Sequence, residues 1–145
     1  KPMRTQEGTS TKPPALDLPP QICRSVGGVL ALLGDKWTIL IMRMLSTRGQ
    51  RFSELRRGIG GISQKMLTST LRALERDGYL SRKLTPTSPP RTDYALTAMG
   101  REVLKPINAL AVWALENREA VESSRRRYDR RARTARGESV HTPAR

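Results

Sequence analysis

Apolar residues recur at helical spacing in two early stretches of the chain. Val26, Val29, Leu30 and Leu33 fall on one side of residues 25–33, and Gly34 closes the run. Trp37, Leu40, Ile41, Met44 and Leu45 do the same over residues 36–46, with Asp35 placed to cap that helix. Gly27 and Gly28 weaken the first helix by about 1 kcal/mol each relative to Ala, and they leave its surface open to close approach by another backbone. A short extended piece, residues 50–52, follows. Ser53 then reads as the N-cap of a short helix over 54–59, with Leu55 and Ile59 pointing inward. Gly60-Gly61 breaks that helix. Ser63 caps residues 64–77, where Met66, Leu67, Leu71 and Leu74 share a face, and Gly78 stands just past the end.

The period then changes from helical to extended. Residues 79–85 and 91–96 alternate in part, and Pro86, Pro89 and Pro90 between them forbid strand continuation, which predicts a hairpin with a long tip. Thr97 caps a final helix over about 98–122, kinked where Pro106 removes a backbone donor. The order is mainly α with a small β-hairpin: a winged helix-turn-helix carrying additional N- and C-terminal helices. In the final helix Ile107, Leu110, Ala111, Val112, Trp113, Ala114 and Leu115 cover more than one face. Such a helix is buried from more than one side. Either it packs wholly inside its own core, or a second copy covers it. The small core favours the second copy, with Val26, Val29, Leu30, Ile107, Leu110, Ala111, Trp113 and Ala114 as the expected dimer interface.

Composition sets the boundaries. Leu, Ile, Val and Phe supply 27 of the 102 residues from 21 to 122, but one of the 23 from 123 to 145. Residues 1–20 read as a proline-rich, disordered leader, 21–122 as the folded domain, and 123–145 as a basic, disordered tail. No apolar run approaches the roughly 18 residues of a membrane span. One cysteine and one histidine (His141) cannot build a thiolate–imidazole metal site, nor can one cysteine form an internal disulfide. No signal-like segment opens the chain. The expected compartment is the cytoplasm, with no metal and no cofactor.

Charge narrows the chemistry further. The chain carries a formal +14, and residues 21–122 alone hold 16 basic against 9 acidic side chains. That is the footprint of a polyanion binder, although basic surfaces also serve solubility. On the helix over 64–77 the apolar face leaves Gln64, Lys65, Thr68, Ser69 and Arg72 on the other side, with Ser63 at its start. Gln pairs with adenine, and Arg and Lys donate to guanine. No acid lies between Ile59 and Ala73 to repel a phosphate. Arg82, Lys83 and Arg91 flank the hairpin tip and Arg51 lies in the extended piece; these suit the DNA backbone or minor groove. The plainer reading of the hairpin cations is a charged edge that discourages aggregation. Cys23, beside Arg24 and at a helix start, is either an inert small hydrophobe or a thiolate-prone redox sensor. Trp37, Met42, Met44 and Trp113 suit a ligand pocket, but at helical spacing they read more simply as core. Paired carboxylates, a Gly-rich phosphate loop and a nucleophile elbow are all missing, so an enzyme is not expected.

Several blocks in order resemble the HxlR family of bacterial winged-helix transcription regulators, relatives of the MarR type. They are Cys23, then Leu-Leu-Gly-Asp-Lys-Trp-Thr (32–38), Arg-Phe-Ser-Glu-Leu-Arg (51–56) and Gly-Ile-Ser-Gln-Lys-Met-Leu-Thr (61–68). Leu-Arg-Ala-Leu-Glu-Arg-Asp-Gly (71–78), Pro-Pro-Arg (89–91), Tyr-Ala-Leu-Thr (94–97) and Gly100 complete them. The resemblance implies a dimer joined through the first and last helices, a recognition helix over 63–77 and a wing over 85–91. It also implies, for some members, a sensing cysteine matching Cys23, followed here by Arg24 where the family usually has proline. The function expected is a homodimeric, sequence-specific DNA-binding transcription regulator on a pseudo-palindromic operator, responsive to oxidants, electrophiles or a small ligand. The competing expectation is a non-specific basic nucleic-acid-binding protein.

Overall fold

A computed structural model describes residues 19–138. The elements run α1 (Pro20–Leu33), α2 (Lys36–Leu45), β1 (Gln50–Arg51), α3 (Phe52–Gly58), α4 (Gln64–Arg76), β2 (Leu80–Thr85), β3 (Arg91–Leu96) and α5 (Ala98–Glu138). This is the winged helix-turn-helix that the periodicity predicts. α1 starts at Pro20 rather than near Ser25, because a proline in the first turn has the right φ and no donor to lose. Of the expected leader, residues 1–18 lie outside the described residues, as does His141.

Short polar side chains start most of the helices. The Asp35 carboxylate accepts from the Trp37 and Thr38 amides at 3.0 and 3.2 Å, and Ser63 Oγ accepts from the Met66 amide at 3.0 Å. Ser53 does not cap α3, contrary to the sequence reading. Arg51 occupies that position, and the Glu54 carboxylate reaches back to accept the Arg51 amide at 3.1 Å. Strand pairing holds Arg51 extended up to the helix start, so the acid three residues on supplies the cap from the other side.

The core lies between α2 (Ile41, Met42, Leu45), α4 (Leu67, Leu71, Leu74) and the root of the hairpin (Leu80, Tyr94, Leu96), with Leu104 and Ile107 of α5 closing one end. The inner arcs differ slightly from the predicted faces. Leu40 and Met66 stay exposed, while Thr38 and Thr70 are buried. Ile107 is only 5% exposed within the protomer. It therefore belongs to the core and not to the expected interface. No single helix among the described residues is long and apolar enough to cross a membrane.

The sheet is antiparallel in the order β1-β3-β2. Its base is tied to two helices at one junction. The Thr97 amide donates to the Tyr79 carbonyl at 3.0 Å, and Thr97 Oγ1 donates to the Gly78 carbonyl at 2.6 Å while accepting from the Gly100 amide at 3.1 Å. Gly78 takes φ +86°, the left-handed conformation that glycine adopts without penalty. Gly100 is needed for another reason: a Cβ there would collide with the Tyr79 carbonyl oxygen.

α5 runs unbroken through Pro106. Where composition predicts disorder from Ser123, the helix continues to Glu138. Arg and Ala are strong helix formers, propagation from an existing helix avoids the nucleation cost, and Glu122 supports Arg126 one turn on at 4.0 Å.

Replacing Gly100 with Ala forces α5 away from the hairpin root. The expected loss is about 1–3 kcal/mol, read as a lower urea midpoint at unchanged slope. An unchanged midpoint would show that the junction is not closely packed.

Candidate nucleic-acid interface

Burial of one side of α4 dictates what the other side presents. With Leu67, Leu71 and Leu74 turned inward, Gln64, Lys65, Thr68, Ser69 and Arg72 line one open depression of about 570 Å³. These are the five residues that the spacing assigned to the outer face, and Ser63 stands at their N-terminal edge. One neighbour was not read from the sequence. Arg56, on α3, donates from Nη1 to Gln64 Oε1 at 3.3 Å, fixing the amide so that its NH₂ faces the other way. The Arg56-Arg57 pair just before the Gly-Gly turn is the signal that marks it.

A second group forms on one face of the sheet. Register sets Arg51 of β1 and Lys83 of β2 on either side of Asp93 in β3. Arg91, two residues along, shares that face. Its Nε donates to both Asp93 oxygens at 3.1 and 3.0 Å, and its Nη2 donates to Oδ1 at 3.0 Å. These bonds hold the Asp93 carboxyl below the ordinary aspartate range, with the Arg51 and Lys83 charges adding to the effect. The result is three cations gathered around one acid. Glu54 is likewise held low, first by the Arg51 amide and then by Arg48, whose Nη1 lies 3.3 Å away.

Arg51 and Arg91 line a cleft of about 400 Å³ together with Phe52, Ser53, Pro89, Pro90 and Thr92. Ser53, read from sequence as a cap, is a wall of this cleft. Arg82 follows the opposite alternation: it sits across from Tyr94 and pairs with Glu75 at 3.5 Å.

The residues expected at a dimer interface divide. Leu30 (63% exposed) and Trp113 (56%) are open, as are Val29, Leu110 and Ala114. Val26 and Ala111 are half-buried, and Ile107 is in the core. Val112 and Leu115, in the stretch of α5 expected to be covered by a second copy, are exposed as well, and Ile22 adds apolar surface that the sequence reading did not name. Cys23 is exposed in the first turn of α1. The four residues considered for a ligand pocket are dispersed: Met42 is in the core, Trp37 and Met44 pack against it, and Trp113 is outside.

Comparison with known proteins places these features in a lineage. Residues 32–122 match the family model described as HxlR-like helix-turn-helix. The HTH-type transcriptional regulator YtfH of Escherichia coli is 46% identical over 85 residues, which cover 59% of this chain and 68% of YtfH. The structure of the transcriptional regulator YtfH from Salmonella typhimurium superposes with a TM-score of 0.65 at 40% identity, covering 70% of this chain and 90% of that one. The redox regulator HypR in its reduced form gives 0.62 at 34% identity, covering 68% and 98%.

The Arg91–Asp93 contact carries a pH signature. A carboxyl lowered in the folded state stabilises it above the unfolded-state pKa, and that contribution disappears as pH falls through the lowered folded value. Arg91→Ala is expected to move the Asp93 titration, followed by carbon-13 NMR, upward toward the ordinary range of about 3.9. It should also weaken the pH dependence of stability in the acid limb. An unmoved titration would assign the lowering to Arg51 and Lys83 instead.

Proposed function

Because the chain belongs to the HxlR-like helix-turn-helix family, it is a transcriptional regulator with a helix-turn-helix DNA-binding fold, and we propose that it reads a pseudo-palindromic operator as a homodimer. The observation that carries this reading is the outer face of α4. Five polar side chains with donor and acceptor groups line one depression on a helix whose other side is locked into the core. In the major groove Gln64 would address adenine and Arg72 guanine, while Thr68 and Ser69 make shorter-range contacts. Lys65 and the N-terminus of α4 at Ser63 suit phosphates. Arg51, Lys83 and Arg91 form the wing's contact with the backbone, Arg91 being aimed by Asp93.

Dimerisation is supported by the apolar side chains left open on both α1 and α5. A two-fold partner covering Leu30, Leu110 and Trp113 would remove that surface from water. It would also set two recognition helices about 34 Å apart, the repeat of successive major grooves. HypR is named a redox regulator, and Cys23 is exposed on the same α1. We extend the reading to an oxidant response through that thiol, acting on the helix pair that joins the two copies. A non-specific basic binder would account for the charge but not for the separation of polar and buried faces on α4.

Selection from a random duplex library supplies the operator for the test. The wild type is expected to prefer it over random duplex by roughly 10³ or more. Gln64→Ala and Arg72→Ala should each cost about 1–3 kcal/mol on the operator while changing random-duplex binding little; equal loss on both would rule out base reading. Leu30→Arg should yield monomers by sedimentation and weaken operator binding. Diamide should lower the affinity of the wild type and leave Cys23→Ser unaffected.

A further inference from the structure

The match to the family ends at Glu122, but α5 continues for about four more turns. Those turns carry Arg125, Arg126, Arg127, Arg130, Arg131, Arg133 and Arg136 with no lysine, and Asp129 is the one acid between Ser123 and Arg136. All seven arginines are exposed. At 100° per residue their side chains span about 240° of the helix circumference. The remaining arc holds Ser124, Tyr128, Ala132 and Ala135. Arg127, Arg130 and Arg131 meet Ser124 around one open concavity, an i, i+3, i+4 grouping.

This pattern discriminates among acidic partners. A helix that lies on a membrane needs a broad apolar face opposite its cations, and here that arc contains one large side chain, Tyr128. Pairing with the same segment of a second copy would set arginine against arginine. The DNA major groove suits the pattern on two counts. It is about 12 Å wide, close to the diameter of a helix with its side chains, and it has a phosphate wall on each side. A cationic arc of this breadth faces both walls at once. The major groove of duplex RNA is too narrow for side chains to enter. Arginine also suits phosphate better than lysine does, because its planar fork donates twice to one anion. Asn and Gln are missing from the segment, so adenine has no bidentate reader there.

We propose that residues 123–138 form a second DNA-binding arm, which takes the phosphate backbone of duplex DNA without regard to sequence. The inference rests on duplex DNA being this chain's partner. Free of DNA, Arg126/Arg130 and Arg127/Arg131 stand one turn apart as like charges that oppose the helix. Neutralisation by phosphate relieves that repulsion, so binding and helix stability reinforce each other.

The test uses the full chain with all seven arginines changed to Gln, and a second variant with all seven changed to Lys. Binding to a random-sequence duplex of about 40 base pairs is titrated from about 50 to 200 mM salt, where each lost phosphate contact lowers the slope of log K against log salt by about 0.9. The Gln variant is expected to lose at least about two such contacts, a fall in slope of about 1.8 or more, and the Lys variant to keep most of the wild-type slope. A wild-type slope in the Gln variant would overturn the arm. So would equal loss in the Lys variant, which would mark a structural role, or tighter arm-dependent binding to duplex RNA or polyglutamate. The two proposals fail differently. Operator preference with a slope that ignores the arginines sinks the arm alone; an arm-dependent slope with no preference for any duplex sinks the operator reading and leaves the arm standing.

Discussion

The contacts around Thr97 fix the geometry of everything that faces outward. Gly78 ends α4, Tyr79 leads into β2, and Thr97 joins β3 to α5. The Thr97 amide and hydroxyl bind the carbonyls of the first two residues, and its oxygen caps the helix that follows. One residue therefore sets three directions at once: the axis of α4, the root of the hairpin and the departure of α5. Gly100 lets the chains come that close, since only a residue without a side chain fits against the Tyr79 carbonyl. Apolar burial drives the collapse of α2 onto α4, but burial is tolerant of small rotations. The hydrogen-bonded junction is not, and it fixes the orientation of α4 relative to the hairpin and α5.

Acids are placed to steer arginines rather than to cancel them. Asp93 orients Arg91 through three hydrogen bonds, Glu54 holds Arg48 and caps α3, and Glu75 holds Arg82 on the far side of the sheet. Each of these is an exposed or partly exposed pair, worth little as a source of stability. Their effect is to reduce the number of positions that each arginine samples. Glu75, one turn beyond Arg72 on α4, is engaged by Arg82, and among the described residues no acid pairs with Lys65 or Arg72.

Much of this was legible in the chain itself. The bounds of α4, the hairpin and its proline-bearing tip, and the five residues on the outer face all follow from spacing and from capping residues whose physics is local. What escaped was set by tertiary contact. Ser53 looks like a cap, yet strand pairing of Arg51 moves the helix start back and leaves Ser53 in the cleft beneath the wing. Ile107 looks like interface, yet the first turns of α5 lean onto the core and bury it. Arg56 touches Gln64 because the Gly-Gly turn joining α3 to α4 brings these two side chains within hydrogen-bond reach. The arginine-rich segment looks disordered by composition, because composition does not register that a helix already formed upstream removes the cost of starting one.

α5 also has a mechanical character. Its base is gripped by Leu104, Ile107 and the Gly100 contact, while the stretch beyond Asn108 is almost entirely solvent-facing within the protomer. From Ile107 to Glu138 a helix extends about 46 Å. A stiff rod held at one end is a lever: a tilt of about 5° at the base, no more than a repacking of a few side chains, sweeps the far end through about 4 Å. Small rearrangements among the residues that hold the hairpin and the recognition helix are thus amplified at the distal end of the same continuous helix, and a force applied at that end returns to the base multiplied by the same ratio.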